Sequence, residues 1–335
     1  GKVSDKKFKD LKWKGDERVL DTWFDSSISE LYMLHYEKDP VFFKEEFPVT
    51  LRPQGKEIVR TWLYYTILRS YLETKKAPFK HVWIHQHITD EKGRKMSKSL
   101  GNVIDPKDIL KQEGAEALRL WSVTEGDLAK SDLMCSRERI KAEQKTITKL
   151  LNVARFILQF KKPKKAKLTY TDEIFVKCLD YYTNQIKWHY ERYDFHKPII
   201  ILRNFLWETF ASHYIELVKP RVYNQENKFS ISEKESAIYT LYILLEKTIK
   251  LLYPIIPQVT TIIANELKTS LDKFPEGTVN PGDSIWQVND IIDFNRQIWK
   301  TKRELGISLR KPIKKEIPLE LRRFEKDLKA CLNLQ

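Results

Sequence analysis

Apolar positions change their spacing twice along this chain. In "RVLDTWFDSS" (18–27), Val19, Asp21, Trp23 and Asp25 alternate with their neighbours, which predicts a strand that runs into a serine-rich loop. "PVTLRPQG" (48–55) closes on Pro53 and Gly55 and reads as a loop. It leads into "KEIVRTWLYYTILRSYLE", where Ile58, Trp62, Tyr65, Arg69 and Leu72 recur at helical spacing. "KHVWIHQHI" (80–88) predicts a second strand, and the loop "DEKGRKMSKSLGN" follows it. A strand, a Gly-terminated loop, a helix and a strand are the parts of a parallel pair with its crossover.

After about residue 122 only the helical period remains. Ile140, Ile147, Leu151, Ala154 and Leu158 predict one amphipathic helix, broken by "KKPKKAK" at 161–167. Leu179, Tyr182, Ile186 and His189 predict a second. A third runs through Leu202, Phe205, Leu206, Thr209, His213 and Leu217 and should end at Pro220. Ile238, Leu241, Leu245, Thr248 and Leu252 predict a fourth, stopped by "YPIIP". Short connections favour an antiparallel bundle. "FPEGTVNPGDS" (274–284) is turn-rich, and beyond it the pattern predicts a helix near 290–305 and a short strand near 313–318.

A chain of 335 residues with 41% apolar content can bury a sizeable core, and its length suits about two or three domains. The formal charge of +14 is uneven. Residues 1–121 carry 23 Lys/Arg against 19 Asp/Glu and the remainder 37 against 27, so the helical part has the stronger case for an acidic partner. Cys135, Cys178 and Cys331 are too few and too far apart for a disulfide framework or a four-ligand zinc site, which points to a reducing cytoplasm. No stretch approaches the roughly 18 apolar residues of a membrane span, and no membrane partner is expected. The opening "GKVSDKKFKDLKWKGDE" lacks a secretory signal and an initiating Met, and reads as a piece of something longer.

The densest chemistry is in "GRKMSKSLGN" (93–102). Glycines give backbone freedom and closely spaced lysines give mobile point charges, so such a loop can close over phosphate oxygens, or it can be an ordinary basic turn. The order of its letters separates the two, because "KMSKS" matches the signature loop of class I aminoacyl-tRNA synthetases. "VLDTWFDSS", "LRPQGKEIVRTW", "GAEALRLW", "KLLNVARFI", "FLWETFASHYIELVKPR" and "LLYPIIPQVT" follow the order seen in the subgroup charging valine, isoleucine and leucine. They span nearly the whole chain from about residue 16. "DTWFDSSIS" and "RPQGKEIVRTW" resemble the archaeal valyl type in particular, with the isoleucyl type as the alternative.

The resemblance implies an α/β plus all-α architecture. Residues 1–121 would be the second half of a Rossmann-like catalytic domain with the KMSKS loop, 122–273 a stem-contact junction and helical anticodon-binding domain, and 274–335 a linker and C-terminal helical appendage. It further implies that Lys95, Met96, Ser97, Lys98 and Ser99 form the mobile loop at ATP, with Lys95 and Lys98 acting on its phosphates in the transition state. Gly55 would admit the nucleotide closely and Glu57 would accept from the ribose hydroxyls; a Glu at a helix N-terminus is also what the helix dipole favours. His85 stands where the family has His-Gly, but Gln86 follows it here. Trp23 resembles the wall of the amino-acid pocket, or is core, and Asp25 shapes that pocket or caps a turn. His85 and His87 share a strand face, but with no third ligand in the sequence no metal site is expected.

For the RNA side, Lys141, Lys145, Lys149 and Arg155 share a helical face opposite Ile140, Ile147, Leu151 and Leu158, either as solvated surface or as a phosphate track. Trp188, Tyr190, Arg192 and Tyr193 are candidates to meet unpaired bases. The implied partners are ATP with its Mg²⁺, valine and tRNA(Val). No "HIGH"-type element or editing segment occurs in the chain, so a missing N-terminal half of the same enzyme is a further expected partner. A noncatalytic tRNA-binding protein derived from a synthetase half is the competing reading.

Overall fold

The expected parallel pair forms, with its second strand where the sequence predicts it and its first strand from different residues. The computed structural model describes residues 14–127, 129 and 132–335, so the start of the expected first domain lies outside the described residues. The chain divides into two compact units, one ending at His87 and the other running from Ile88 to Gln335.

In the first unit, Val49–Gly55 (β1) pairs in parallel with Phe79–His85 (β2), with Val49 opposite Phe79 and Gly55 opposite His85. The segment read as a Gly-terminated loop is therefore the first strand. Pro53 is tolerated because a two-stranded sheet has only edges, where a missing N–H breaks no ladder on the open side. The alternating stretch at 18–27 is instead a short helix, Thr22–Ser26 (α1), whose N-cap Asp21 accepts a hydrogen bond from the Trp23 amide at 2.8 Å. Two further short helices follow, Ser29–Met33 (α2) and Pro40–Glu46 (α3). The crossover begins as a 3₁₀ turn at Lys56–Ile58, widens into a π-turn at Val59–Leu63 and continues as Tyr64–Thr74 (α4).

Helix α4 is amphipathic in the inverted sense. Its small polar residues Thr66 and Ser70 are buried, and Ser70 Oγ donates to the buried Glu30 carboxylate. Tyr64, Ile67, Leu68, Tyr71 and Leu72, spaced as one apolar stripe, are 41–57% exposed.

The second unit opens with Ile88–Thr89 (β3), which pairs in parallel with Leu133–Met134 (β4), and with the helices Pro106–Gln112 (α5) and Ala115–Glu125 (α6). The long helices follow: Arg137–Leu158 (α7), Tyr170–Tyr190 (α8), His196–Asn204 (α9), Ile215–Tyr223 (α10), Ile231–Leu252 (α11), Pro257–Leu267 (α12), Ser284–Glu304 (α13) and Glu325–Leu332 (α14). Ser230 and Glu233 form a reciprocal capping box that starts α11. The core runs through Phe175, Leu179, Ile186, Phe205, Phe210, Tyr214, Leu241, Leu245 and Ile298.

Three sequence expectations are corrected here. The helix of 196–223 is continuous through a π-helical Phe205–Tyr214 and passes Pro220 to end at Asn224. Beyond the proline, Arg221 is fully buried; it forms ion pairs with Asp172 at 2.8 Å and Asp327 at 3.1 Å, and this anchorage holds the last turn despite one lost backbone bond. The strand expected at 313–318 reduces to a single parallel bridge between Ile313 and Leu334. In α7 the buried stripe is Ile140, Glu143, Thr146, Leu150, Val153, Ala154 and Ile157, while Ile147, Leu151 and Leu158 lie half-buried beside it.

Candidate functional site

The carboxyl ends of two parallel strands are where an open α/β sheet presents its ligand-facing groups. At that end of the first unit the register sets Gly55 beside His85. The Glu57 carboxylate folds back over Gly55 into the space a Cβ would take, and the extended backbone of Gly55 is open to any residue, so a side chain there would displace the carboxylate rather than strain the chain. Glu57 Oε2 lies 3.9 Å from His87 Nδ1, and His85 Nδ1 is 3.1 Å from the carbonyl of Gln86. Gly55, Glu57 and His85 are thus gathered at one strand end. Among the described residues, no group of three or more His, Cys, Asp or Glu is placed to hold a metal ion.

Trp23 is half-buried on α1, and Asp25 is exposed in the same short helix. The cap of this helix is Asp21, leaving the Asp25 carboxylate directed at no backbone N–H of the turn. The crossover helix holds the segment in position: Trp62 Nε1 donates to the Ser26 carbonyl at 2.7 Å, and Arg69 donates to Ser27 Oγ at 2.9 Å. The Arg52 guanidinium lies over the Trp62 ring, and burial lowers its pKa to about 10 against the opposing pull of Glu30. Burial in turn raises the Glu30 carboxyl above its ordinary value. Sequence reading missed this Glu30–Arg52–Trp62 arrangement. The Arg and Trp that bracket "RPQGKEIVRTW" were its only trace.

In the second unit, the lysine loop is closed from within. Asp90 Oδ1 accepts from the amides of Lys92 and Arg94, and its Oδ2 accepts from Arg94 Nε at 2.8 Å and Asn102 Nδ2 at 2.9 Å. These bonds, the Asn102 side chain first, hold the Asp90 carboxyl well below the usual carboxylate range. Asn102 also accepts from the Ser97 amide and donates to the Lys95 carbonyl, tying the two ends of the loop together. Gly93, at φ +74°, allows the tight turn that this closure requires. Ser97 caps the short turn Lys98–Leu100 and lies 3.1 Å from Ser99 Oγ.

Within that frame Met96 packs toward the cluster of Ile109, Ala117, Trp121, Cys135 and Ile140 and acts as the loop's anchor. Lys95 and Lys98 are exposed, and among the described residues neither has an ion-pair partner. Two mobile cations on a braced, core-anchored loop can neutralise a polyphosphate without first breaking a pairing.

The "GAEALRLW" stretch turns out to couple this region to the bundle. Glu116 accepts from the amides of Gln258 and Val259 and so caps α12 from outside; Arg119 donates to the carbonyls of Ile255 and Pro254 at 2.6 and 3.0 Å.

On α7, Lys141, Lys145 and Arg155 are exposed opposite the buried stripe, and Lys149 is half-buried with its Nζ 4.7 Å from the Trp207 ring centroid. Trp188 is 52% exposed and carries the Arg192 guanidinium 4.0 Å above its ring. A hollow of about 430 Å³ opens beside it, lined by Asn184, Gln185 and Val279 among others. The lysine face belongs to α7 and the Trp188 shelf to α8, and both helices pack on α11. Tyr190 is not available for bases, because its hydroxyl is committed to the Leu251 carbonyl at 3.0 Å and burial pushes its pKa upward.

Residues 2–133 match the family described as tRNA synthetases class I (I, L, M and V), and residues 172–317 match the anticodon-binding domain of tRNA ligase. The chain is 37% identical to a valine–tRNA ligase of Aeropyrum pernix over 95% of its own length and 40% of the relative's. It is 38% identical to one of Pyrobaculum aerophilum over 90% of its length and 38% of the relative's, and 36% identical to one of Nanoarchaeum equitans over 97% and 43%. The chain therefore spans about 40% of the length of the curated relatives it matches. The same fold occurs in the LeuRS of an Agrobacterium radiobacter ternary complex (TM-score 0.60, 19% identity, 78% of this chain and 33% of that one). It occurs also in the methionyl-tRNA synthetase of Mycobacterium tuberculosis (TM-score 0.64, 20% identity, 74% and 50%). With the braced KMSKS loop, the crossover strand pair and the helical bundle in one chain, residues 2–133 carry a class I tRNA synthetase domain of the isoleucine, leucine, methionine and valine group and residues 172–317 an anticodon-binding domain of tRNA ligase.

Proposed function

We propose that this chain is the KMSKS-bearing and tRNA-binding portion of a valine–tRNA ligase of the cytoplasm. The observation that carries the reading is the loop of residues 90–102, closed by Asp90 and Asn102 and anchored by Met96, with Lys95 and Lys98 free among the described residues. In the whole enzyme a carboxylate oxygen of valine attacks the α-phosphorus of ATP, and pyrophosphate leaves. Lys95 and Lys98 meet the charge that grows on the departing phosphates, with Ser97 and Ser99 as hydroxyl partners. Mg²⁺ bound to the ATP phosphates would supply part of that neutralisation beside Lys95 and Lys98. Glu57 accepts from the ribose hydroxyls over Gly55, His85 lies beside the adenosine end, and Trp23 walls the valine pocket with Asp25 at its rim. A terminal hydroxyl of tRNA(Val) then attacks the carbonyl of the adenylate and releases AMP. The α7 cations Lys141, Lys145, Lys149 and Arg155 track RNA phosphates, and Trp188 with Arg192 offers a shelf to an unpaired base.

The domains follow the same reading: a catalytic half to residue 121, a junction and anticodon-binding bundle to 273, and an appendage to 335. The outward apolar stripe of α4 supports a further partner, the part of the catalytic domain that lies outside this chain. Such a stripe is unfavourable in water and favourable against another apolar surface.

Exchange of radiolabelled pyrophosphate into ATP tests the proposal, with the chain alone and mixed with a synthetase N-terminal half, using valine, isoleucine and leucine in turn. Silence alone and exchange with valine on mixing is expected. Exchange by the chain alone would show the site to be complete here. Silence in both conditions, with tRNA still bound, would favour the noncatalytic tRNA-binding reading.

A further inference from the structure

A groove of about 610 Å³ runs between α13 and the π-helical Phe205–Tyr214. It is lined by Trp286, Asp290, Asp293, Glu208 and Arg296 over an apolar floor that includes Ile292. Trp286, Asp290 and Asp293 follow one another at spacings of four and three, so they stand in a row on one face of α13, about 10 Å from end to end. Glu208 faces that row from the π-helical segment: its carboxylate holds Arg296 at 3.0 Å, and Asp293 holds the same guanidinium at 3.4 Å.

Two independent features define what such a groove would take. The first is charge. In a chain of net charge +14, the groove carries three carboxylates and one guanidinium. Asp290 is exposed, and among the described residues it has no ion-pair partner. The pairs made by Arg296 are themselves exposed, hence weak and open to exchange. A phosphate backbone would be repelled here. The carboxylates do not converge on one ion either, because among the described residues no group of three or more is placed to hold a metal. They are strung out, as suits an extended cationic occupant. The second feature is the indole of Trp286, which is 72% exposed. Elsewhere the chain seats its own cations on tryptophan faces: Arg52 on Trp62, Arg192 on Trp188 and Lys149 on Trp207. Among the described residues no cation of this chain lies over the Trp286 ring, although Asp290 stands one turn along the helix to hold one there.

We propose that this groove docks a basic segment of a protein partner, bound extended. One arginine or lysine lies on the Trp286 face beside Asp290, and a second displaces Arg296 from Asp293 and Glu208. About three residues of extended chain cover the roughly 10 Å of the row, which sets the spacing of the two cations. The inference is independent of the tRNA reading above.

The test is fluorescence anisotropy of the full chain with a labelled hexapeptide that carries two arginines three residues apart, with the matching glutamate peptide and spermine as controls. The arginine peptide should bind, and more weakly as salt is raised. Trp286→Ala should weaken it about tenfold and Asp290→Asn about threefold, while Trp286→Phe stays within about threefold of the parent. Both side chains are exposed, so the circular dichroism of the variants should match that of the parent. No binding by the parent, or equal affinity in every variant, would overturn the groove as a docking site. Equal binding of the glutamate peptide would overturn the charge argument. Displacement of the arginine peptide by spermine at equal concentration would make the occupant a small polyamine and overturn the protein partner.

Discussion

Replacing Arg221 by Met removes the centre of the most heavily charged buried cluster in the bundle. Arg221 is 1% exposed; its Nη2 and Nη1 each donate to a different Asp172 oxygen at 2.8 Å, its Nε lies 3.1 Å from Asp327 Oδ1, and Nη1 reaches Thr169 Oγ1 at 2.9 Å. Asp172 also accepts from Tyr214 at 2.6 Å, and Asp327 from Thr171 at 2.7 Å. Methionine fills most of the volume but strands two buried carboxylates near one another. Breaking a buried pair in this way is destabilising by about 3–5 kcal/mol, a large part of the roughly 5–15 kcal/mol that holds a domain folded. Burial already raises the Asp327 carboxyl above its ordinary value, and loss of Arg221 removes the main charge opposing that rise. A carboxyl whose folded pKa is raised favours the fold when protonated: its contribution is present below the unfolded value near 4 and is lost as pH rises through the folded value. The deficit of Arg221→Met should therefore be largest near pH 8 and shrink toward pH 5. Urea unfolding followed by helical circular dichroism at both pH values measures it. The variant Arg221→Met/Asp172→Asn/Asp327→Asn, with no stranded charge, should recover much of the loss. A deficit below about 1 kcal/mol, or one independent of pH, would refute the reasoning.

Three other outcomes follow from the same geometry. In an enzyme completed by its N-terminal half, Lys98→Ala should lower the pyrophosphate-exchange rate about 100-fold at saturating ATP while leaving the apparent ATP affinity nearly unchanged, as steady-state kinetics would read. Asn102→Ala should open the loop of 90–102, seen as faster amide exchange at Arg94 and Ser97 and an upward move of the Asp90 titration; because that carboxyl is held low in the fold, its stabilisation is present above pH 4 and fades as pH falls through the folded value. His213, buried and stacked on Trp299 at 5.0 Å, is lowered to about 4 mainly by burial, so its contribution is full above about pH 6.5 and lost as pH falls to about 4, a change of roughly 3 kcal/mol that His213→Gln should abolish in acid unfolding.

The helices α7, α8 and α11 were legible from apolar spacing alone, because each runs for twenty residues or more and buries one face along its length. The lysine loop was legible from its letters. Over the five residues of α1 an alternating pattern and a helical one are nearly indistinguishable, and the decision lay with the Asp21 cap and with Trp62 and Arg69, which hold the segment from some forty residues away. Strand β1 likewise needed its partner β2, since a proline- and glycine-containing stretch becomes a strand only when a neighbour accepts its ladder.

Buried polar groups were the least readable. Lys302 looks like any surface lysine in the sequence, yet it is fully buried and donates to the carbonyls of Leu309, Lys311 and Leu332. Periodicity reports which face of an element leaves water, and that is written locally in the order of side chains. Whether a charge can be buried and whether a helix can outrun a proline depend on partners brought together from far along the chain. Those partners meet only when the chain has closed on itself.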